Sequence, residues 1–199
     1  MRCSFFTTCL VLCSFFWVFQ SLADQNDPDL DSLFTALLKT EDREQGNIIT
    51  DEIWKRWLLV DDSEIRNLLS IGISAMNQNN LIVALNLFDK VVDKEPSFSE
   101  GWNKRATAYY LLGDYRNSIA DIQQTLQLES RHFGAMAGLA WILLEQGNYE
   151  MAELVMKKTL AVNPFLIDVQ RELRILKNWK DKKSIKFRLN LKESDATDI

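Results

Sequence analysis

A fixed step of 34 residues runs through the middle of this chain. Leu68, Trp102 and Met136 are one step apart, and so are Gly72, Ala106 and Ala140. Ala84, Ser118 and Ala152 follow the same step, as do Phe88, Ile122 and Met156. Pro96 and Pro164 stand two steps apart, with Ser130 between them. The turn triplets Asn79-Asn80-Leu81, Gly113-Asp114-Tyr115 and Gly147-Asn148-Tyr149 fall in register. Self-similarity of this length marks a stack of small units, each unable to bury its apolar face without a neighbour. The matches set three units at 65–98, 99–132 and 133–166.

Each unit has the pattern of two helical runs around a short Gly/Asn/Asp turn. Small residues at 72, 106 and 140 on the first run, and at 84, 118 and 152 on the second, let the paired helices approach closely. Large apolar residues at 88, 122 and 156 lie four positions further along the same face and fill the space between units. Pro96 and Pro164 end second helices, because proline cannot continue a helix and disfavours it in the residue before. Ser97-Phe98-Ser99-Glu100 has capping-box spacing for the next helix. Seven Gly and three Pro in 199 residues exclude collagen-like and mucin-like chains.

These features resemble the tetratricopeptide repeat family over residues 65–166. Trp102, Ala106, Tyr109 and Gly113 in the middle unit match its pattern best. Ala75 and Leu143 replace the tyrosine, and Ser130 the proline, in other units. The expected fold class is all-α: a helical-repeat solenoid of three tetratricopeptide helix-turn-helix repeats with helical caps. The plan of the whole chain also resembles exported bacterial members of the family. Gly101-Trp102-Asn103-Lys104-Arg105-Ala106 and Arg131-His132-Phe133-Gly134-Ala135 carry that likeness.

Residues 1–23 read as a signal peptide. Arg2 precedes an uncharged, Phe- and Leu-rich stretch at 3–19, and Ser21-Leu22-Ala23 offers the small residues a signal peptidase reads. The expectation is an exported protein, periplasmic or secreted; the alternative is a membrane anchor left uncleaved. All three cysteines, Cys3, Cys9 and Cys13, lie in this segment, so cleavage would leave no thiol for a disulfide or cluster. No Asn-x-Ser/Thr sequon occurs, which favours a bacterial periplasm over a eukaryotic secretory path.

Residues 24–64 form an acidic N-terminal helical cap. Leu30, Leu33, Phe34, Leu37 and Leu38 predict a helix over 29–39, started by Asp27-Pro28. Ile49, Ile53 and Trp57, with Trp54 beside them, predict another over about 43–58. Asp61-Asp62 and Glu41-Asp42 suit helix N-termini. Residues 167–179 read as a C-terminal capping helix, closing the stack. Residues 180–199 read as a polar, mobile tail. Its basic residues, with Ile185, Phe187 and Leu189 at alternate positions, suit peripheral contact with an anionic membrane or a strand on a partner's sheet edge. The charge is uneven: 24–64 carries 12 acidic and 4 basic side chains, 171–199 carries 9 basic and 5 acidic.

The resemblance implies a concave groove lined by the first helix of each repeat. Carried over, its candidate partner-binding positions are Arg66, Leu69, Ile73 and Met76 in the first repeat, and Asn103, Thr107 and Tyr110 in the second. In the third they are Gly134, Ala137, Trp141 and Leu144. The competing expectation is that the aliphatic members pack against the N-terminal helices or another subunit. One subgroup of the family clamps chaperone C-terminal carboxylates with a Lys/Asn/Arg set. Leu69 and Ile73 stand at its first-repeat Lys and Asn positions, and Gly134 at a third-repeat basic position, so that clamp is absent.

Net charge is −5, which excludes nucleic acid as a default partner. The one histidine, His132, shows no orienting partner for base catalysis in the sequence and reads as structural. No nucleophile elbow, phosphate loop, calcium loop or metal-ligand set is present in the sequence, so no cofactor, metal or enzymatic activity is expected. The expected function is an exported protein–protein interaction module, an adaptor, scaffold or assembly factor holding a protein, peptide or helix in its groove. The alternative is a structural or regulatory subunit of an envelope complex or a homo-oligomer.

Overall fold

The computed structural model describes residues 28–197, with side chains placed between 29 and 182. The signal-peptide expectation and all three cysteines fall outside the described residues. These residues form helices and no strand: α1 (Pro28–Lys39), α2 (Arg43–Trp57), α3 (Ser63–Asn77), α4 (Leu81–Lys94), α5 (Ser99–Leu111), α6 (Tyr115–Leu128), α7 (Phe133–Glu145), α8 (Tyr149–Val162) and α9 (Ile167–Thr197). The fold is the expected all-α helical-repeat solenoid. Among the described residues no helix is long and apolar enough to cross a membrane.

The 34-residue step has a direct backbone counterpart. Asn79, Gly113 and Gly147 are the described residues with positive φ, at 62°, 78° and 71°. Each sits in the turn between the two helices of a repeat and reverses the chain in the left-handed region that Gly and Asn adopt most readily. The pairs α3/α4, α5/α6 and α7/α8 thus form helical hairpins, and α4 on α5, α6 on α7 and α8 on α9 stack them. Ala84, Ser118 and Ala152 are buried, as are Phe88, Ile122 and Met156. Small residues admit the neighbouring helix and large ones fill the space beyond it.

Helix starts are fixed by side-chain oxygens. Asp42 accepts from the Glu44 amide, Asp62 from those of Glu64 and Ile65, and Asp114 from Asn117. Asn148 does the same for Met151. The acidic pairs singled out in the sequence therefore act as caps. The capping box at 97–100 does not form. Ser97 Oγ donates instead to Glu95, and Phe98 at the N-cap offers no side-chain bond. Glu100 is drawn inward to buried partners and cannot reach back.

Trp102 is half-buried: its indole donates to Pro96 O and its ring lies under Arg105. Two expectations at the C-terminal end need correction. The last helix does not end near 179, nor does 180–188 form a strand. Tyr149 stacks on Trp179, and Lys180 Nζ reaches Glu153 at 2.7 Å, so α9 keeps its register to Thr197. Glu153, held by Lys157 and Lys180, has its carboxyl pulled down to about 2.

Candidate functional site

The first helices of the repeats lie on one side of the stack, with α5 touching both α3 and α7. Their shared face divides into regions of different character.

In the first repeat the face is closed. Leu69, expected in the groove, is 3 % exposed and packs with Val60, Ile65, Phe88 and Val91. The α2–α3 connection folds Val60 over this helix and removes Leu69 from any partner's reach. Ile73 and Met76 are half-buried against the same cluster. Arg66 is exposed, but its Nη2 donates to Val60 O at 2.8 Å and Asp61 O at 3.0 Å. It fastens the connection.

At the N-terminal ends of α5 and α7 the face is covered by α1 and α2. Trp57 is fully buried and stacks on the His132 ring, centroids 4.1 Å apart and planes 10° apart. Trp54 meets Trp57, His132 and Phe133 edge-on. A β-carbon at 134 would overlap the Trp54 indole, so Gly134 is what lets α2 seat. Thr50 Oγ1 accepts from Asn163 Nδ2 at 3.0 Å and Gly46 lies against Phe165, tying α2 to the end of the third repeat. Arg131 pairs with Asp31 at 2.6 Å while lying over the Phe34 ring.

Beneath this cover sits a buried ionic group. Glu100 is fully buried; its Oε1 lies 2.7 Å from Lys104 Nζ, and its Oε2 accepts from Asn103 Nδ2 at 2.8 Å. His132 Nε2 faces the same oxygen at 2.9 Å. Its Nδ1 accepts the Ala135 amide at 3.1 Å, so the ring proton sits on Nε2 and is donated to Glu100. Burial works to raise the Glu100 carboxyl, but Lys104 and His132 outweigh it and hold the group below its ordinary value. His132 is therefore a helix cap and a donor, the structural role expected of it. Its partner escaped the sequence because it lies 32 residues away, at the opposite end of the same 34-residue unit.

Beyond this cover, between α5 and the first three turns of α7, the face opens into a cavity of about 240 Å³. It brings together Asn103, Thr107, Tyr110, Gly134 and Trp141 among the sequence candidates. Ala137 and Leu144 do not line it; with one flank of Trp141 they pack towards Met156 and Val169. Ala106, Leu111, Ser118, Ile122, Ala135 and Gly138, which are not among the groove candidates, complete the wall. The Gly134/Gly138 pair, four residues apart on an otherwise apolar helix, is the signal that could have found it. Thr107 Oγ1 donates to Asn103 O, and Ser118 Oγ to Ala106 O, so neither hydroxyl proton points at a ligand. Burial, then the Glu145 charge, pushes the Tyr110 phenol up. No group of three or more His, Cys, Asp or Glu able to hold a metal occurs among the described residues.

Helical hairpins recurring every 34 residues, with first helices aligned around a recess, define a repeat scaffold of the kind that binds other proteins. The chain belongs to the tetratricopeptide repeat family. The model of that family, described as tetratricopeptide repeat, matches residues 69–119 and 103–165. A TPR repeat-containing protein of Rhizobium etli is 31% identical over 147 residues, 74% of this chain and 72% of that protein. Among solved structures, the first TPR of Spaghetti (RPAP3) bound to an HSP90 peptide, SRMEEVD, superposes with a TM-score of 0.57. It is 20% identical and covers 61% of this chain and 97% of that one. The TPR2B domain of yeast Sti1 in complex with an Hsp70 peptide superposes at 0.54, with 14% identity, over 61% of this chain and 99% of that one. At these identities the structural likenesses concern the fold.

Proposed function

We propose that this chain is an exported, non-catalytic interaction module that holds a protein or peptide partner on the concave side of its second and third repeats. The observation that carries this reading is the recess between α5 and α7, where five of the eleven groove candidates, Asn103, Thr107, Tyr110, Gly134 and Trp141, converge. Tetratricopeptide domains of the same fold are seen with peptides bound, which supports a polypeptide as the partner class. The buried ionic group does not compete with this reading, because the Glu100 carboxylate is paired with Lys104 and His132 within the chain. Export rests on the charged, apolar and small-residue order of residues 1–23.

The test is affinity capture with the tagged chain beside its Tyr110→Ala/Trp141→Ala variant, both shown folded by circular dichroism. A partner lost with the variant supports groove recognition; a partner retained by both moves the interaction to the caps or to α9. Cell fractionation with mass spectrometry of the protein's N-terminus tests export. A product starting at Asp24 in an extracytoplasmic fraction supports it, and an intact Met1 product in the cytoplasm overturns it.

A further inference from the structure

The cavity between α5 and α7 is uncharged. None of its lining residues is Asp, Glu, Lys, Arg or His. The nearby cations are committed: Lys104 to Glu100 at 2.7 Å, Arg105 to Asp121 at 2.7 Å and to Asp89 at 2.9 Å. The Glu145 charge acts with burial to raise the Tyr110 phenol, so the field at that residue is negative. An anionic ligand would find no cation among the residues that line the cavity.

Its size is also specific. At about 240 Å³ it exceeds the ~150 Å³ that admits benzene and falls short of the ~300 Å³ at which pockets take whole small-molecule ligands. That is room for one large side chain. Walls of Tyr110, Trp141, Ile122 and Ala106 suit an apolar one. One polar group at the edge is unspent. Asn103 is 6 % exposed and its amide nitrogen is held by Glu100, which leaves its amide oxygen without a partner among the described residues. Fixed by that bond, the oxygen is an acceptor placed for a backbone N–H.

The two cavity glycines differ in what they serve. Gly134 is required by Trp54. Gly138 is required by nothing within the chain, since a β-carbon there would stand 3.6 Å from Ile122 Cδ1, an ordinary contact. Glycine in a helix interior is less stable than alanine, so the added space is maintained at a cost in stability. Because Trp54 covers Gly134, α2 closes one end of the cavity. Entry is from the side of Tyr110, Trp141 and the half-exposed Leu111.

We propose that this cavity is a subsite for one uncharged, bulky apolar side chain, of Leu, Met or Phe size, on a partner polypeptide whose backbone N–H donates to Asn103 Oδ1. The proposal rests on the interaction-module reading and narrows it to a partner that inserts a neutral side chain rather than an acidic terminus.

The experiment is an NMR titration of the ¹⁵N-labelled full chain with acetylated, amidated pentapeptides Gly-Ser-X-Ser-Gly, X being Leu, Phe, Asp or Lys, repeated on Gly138→Ala. The Leu and Phe peptides are expected to shift amides in 103–111 and 134–141, with dissociation constants of about a millimolar at the tightest, as burial of one side chain together with one hydrogen bond allows. The Asp peptide should bind at least about tenfold more weakly, lacking any cation to meet it. Gly138→Ala should raise the melting temperature by about 2–4 °C while weakening the Leu and Phe peptides at least about fivefold. A more stable variant that binds less separates loss of the subsite from loss of the fold. Equal binding of the Asp peptide, unchanged affinity in Gly138→Ala, or no shifts at these amides would each overturn the proposal. A captured partner indifferent to Gly138→Ala would remove the subsite and leave the interaction module standing. Peptides that bind as described beside a chain that captures nothing would do the reverse.

Discussion

The two parts of the α5/α7 face lie on the same pair of helices and have opposite fates. At the N-terminal end, Trp54 and Trp57 roof over a charged group, Glu100 with Lys104 and His132, in which each charge or ring proton has a partner. Beyond the roof, Asn103, Tyr110 and Trp141 surround a neutral recess that the chain leaves unfilled. Charge is buried where the protein supplies its own cover, and space is left where it supplies none. Burying a carboxylate is tolerable only with complete pairing, so the covered half has to be rigid. The open half carries no such penalty and can be left for a partner.

The comparison is broken most severely through the roof. Trp57→Ala should cost about 3–5 kcal/mol, since it removes a fully buried indole stacked on His132 and exposes Glu100 beneath it. Denaturant unfolding reads this directly. A loss below about 1 kcal/mol would mean that α1 and α2 are a loose lid rather than a wall of the fold.

Glu100→Gln should cost about 2–3 kcal/mol by removing the charge that Lys104 and His132 face. The same residue sets an acid limit. Its carboxyl is held below 4.5 in the folded chain, so the unfolded chain takes up the proton more readily. Its contribution is then full above pH 4.5 and is lost as pH falls through the lower, folded value. Urea midpoints measured from pH 7 down to pH 3 should therefore decline more steeply for the native chain than for Glu100→Gln. Parallel declines would show that other carboxylates govern the acid limit.

The sequence carried the repeat and the helix starts because both depend on local, periodic choices. Glycine or asparagine at 79, 113 and 147 and carboxylates at 42, 62 and 114 each act within a few residues of themselves. The site was only half legible. Helical spacing put Asn103, Thr107, Tyr110 and Trp141 on one face, yet it gave Leu69 the same standing. What separates them is Val60, folded over the first repeat by a connection whose path no period dictates. The pairing of Glu100 with His132 was hidden for a related reason: it joins the two ends of the 99–132 unit, and the capping-box spacing at 97–100 offered Glu100 a local partner that the buried one outcompetes. At the C-terminal end, alternation of Ile185, Phe187 and Leu189 suggested a strand, but a helix already anchored through Trp179 and Lys180 simply continues.

The mildest change gives the sharpest contrast. The Tyr110 hydroxyl makes no hydrogen bond among the described residues, while its ring tilts against Tyr115 at 5.8 Å and lines the cavity. Tyr110→Phe keeps the ring and removes only the hydroxyl, so stability should stay within about 0.5 kcal/mol, as for changes outside any network. His132→Phe on the covered half, also a swap of one ring for another, should cost at least about 2 kcal/mol. It strips the cap from Ala135 and a donor from Glu100. Thermal unfolding of the two variants side by side measures the difference. Equal melting temperatures would mean that the charged half is no better determined than the open one, and the division of the face would lose its physical basis.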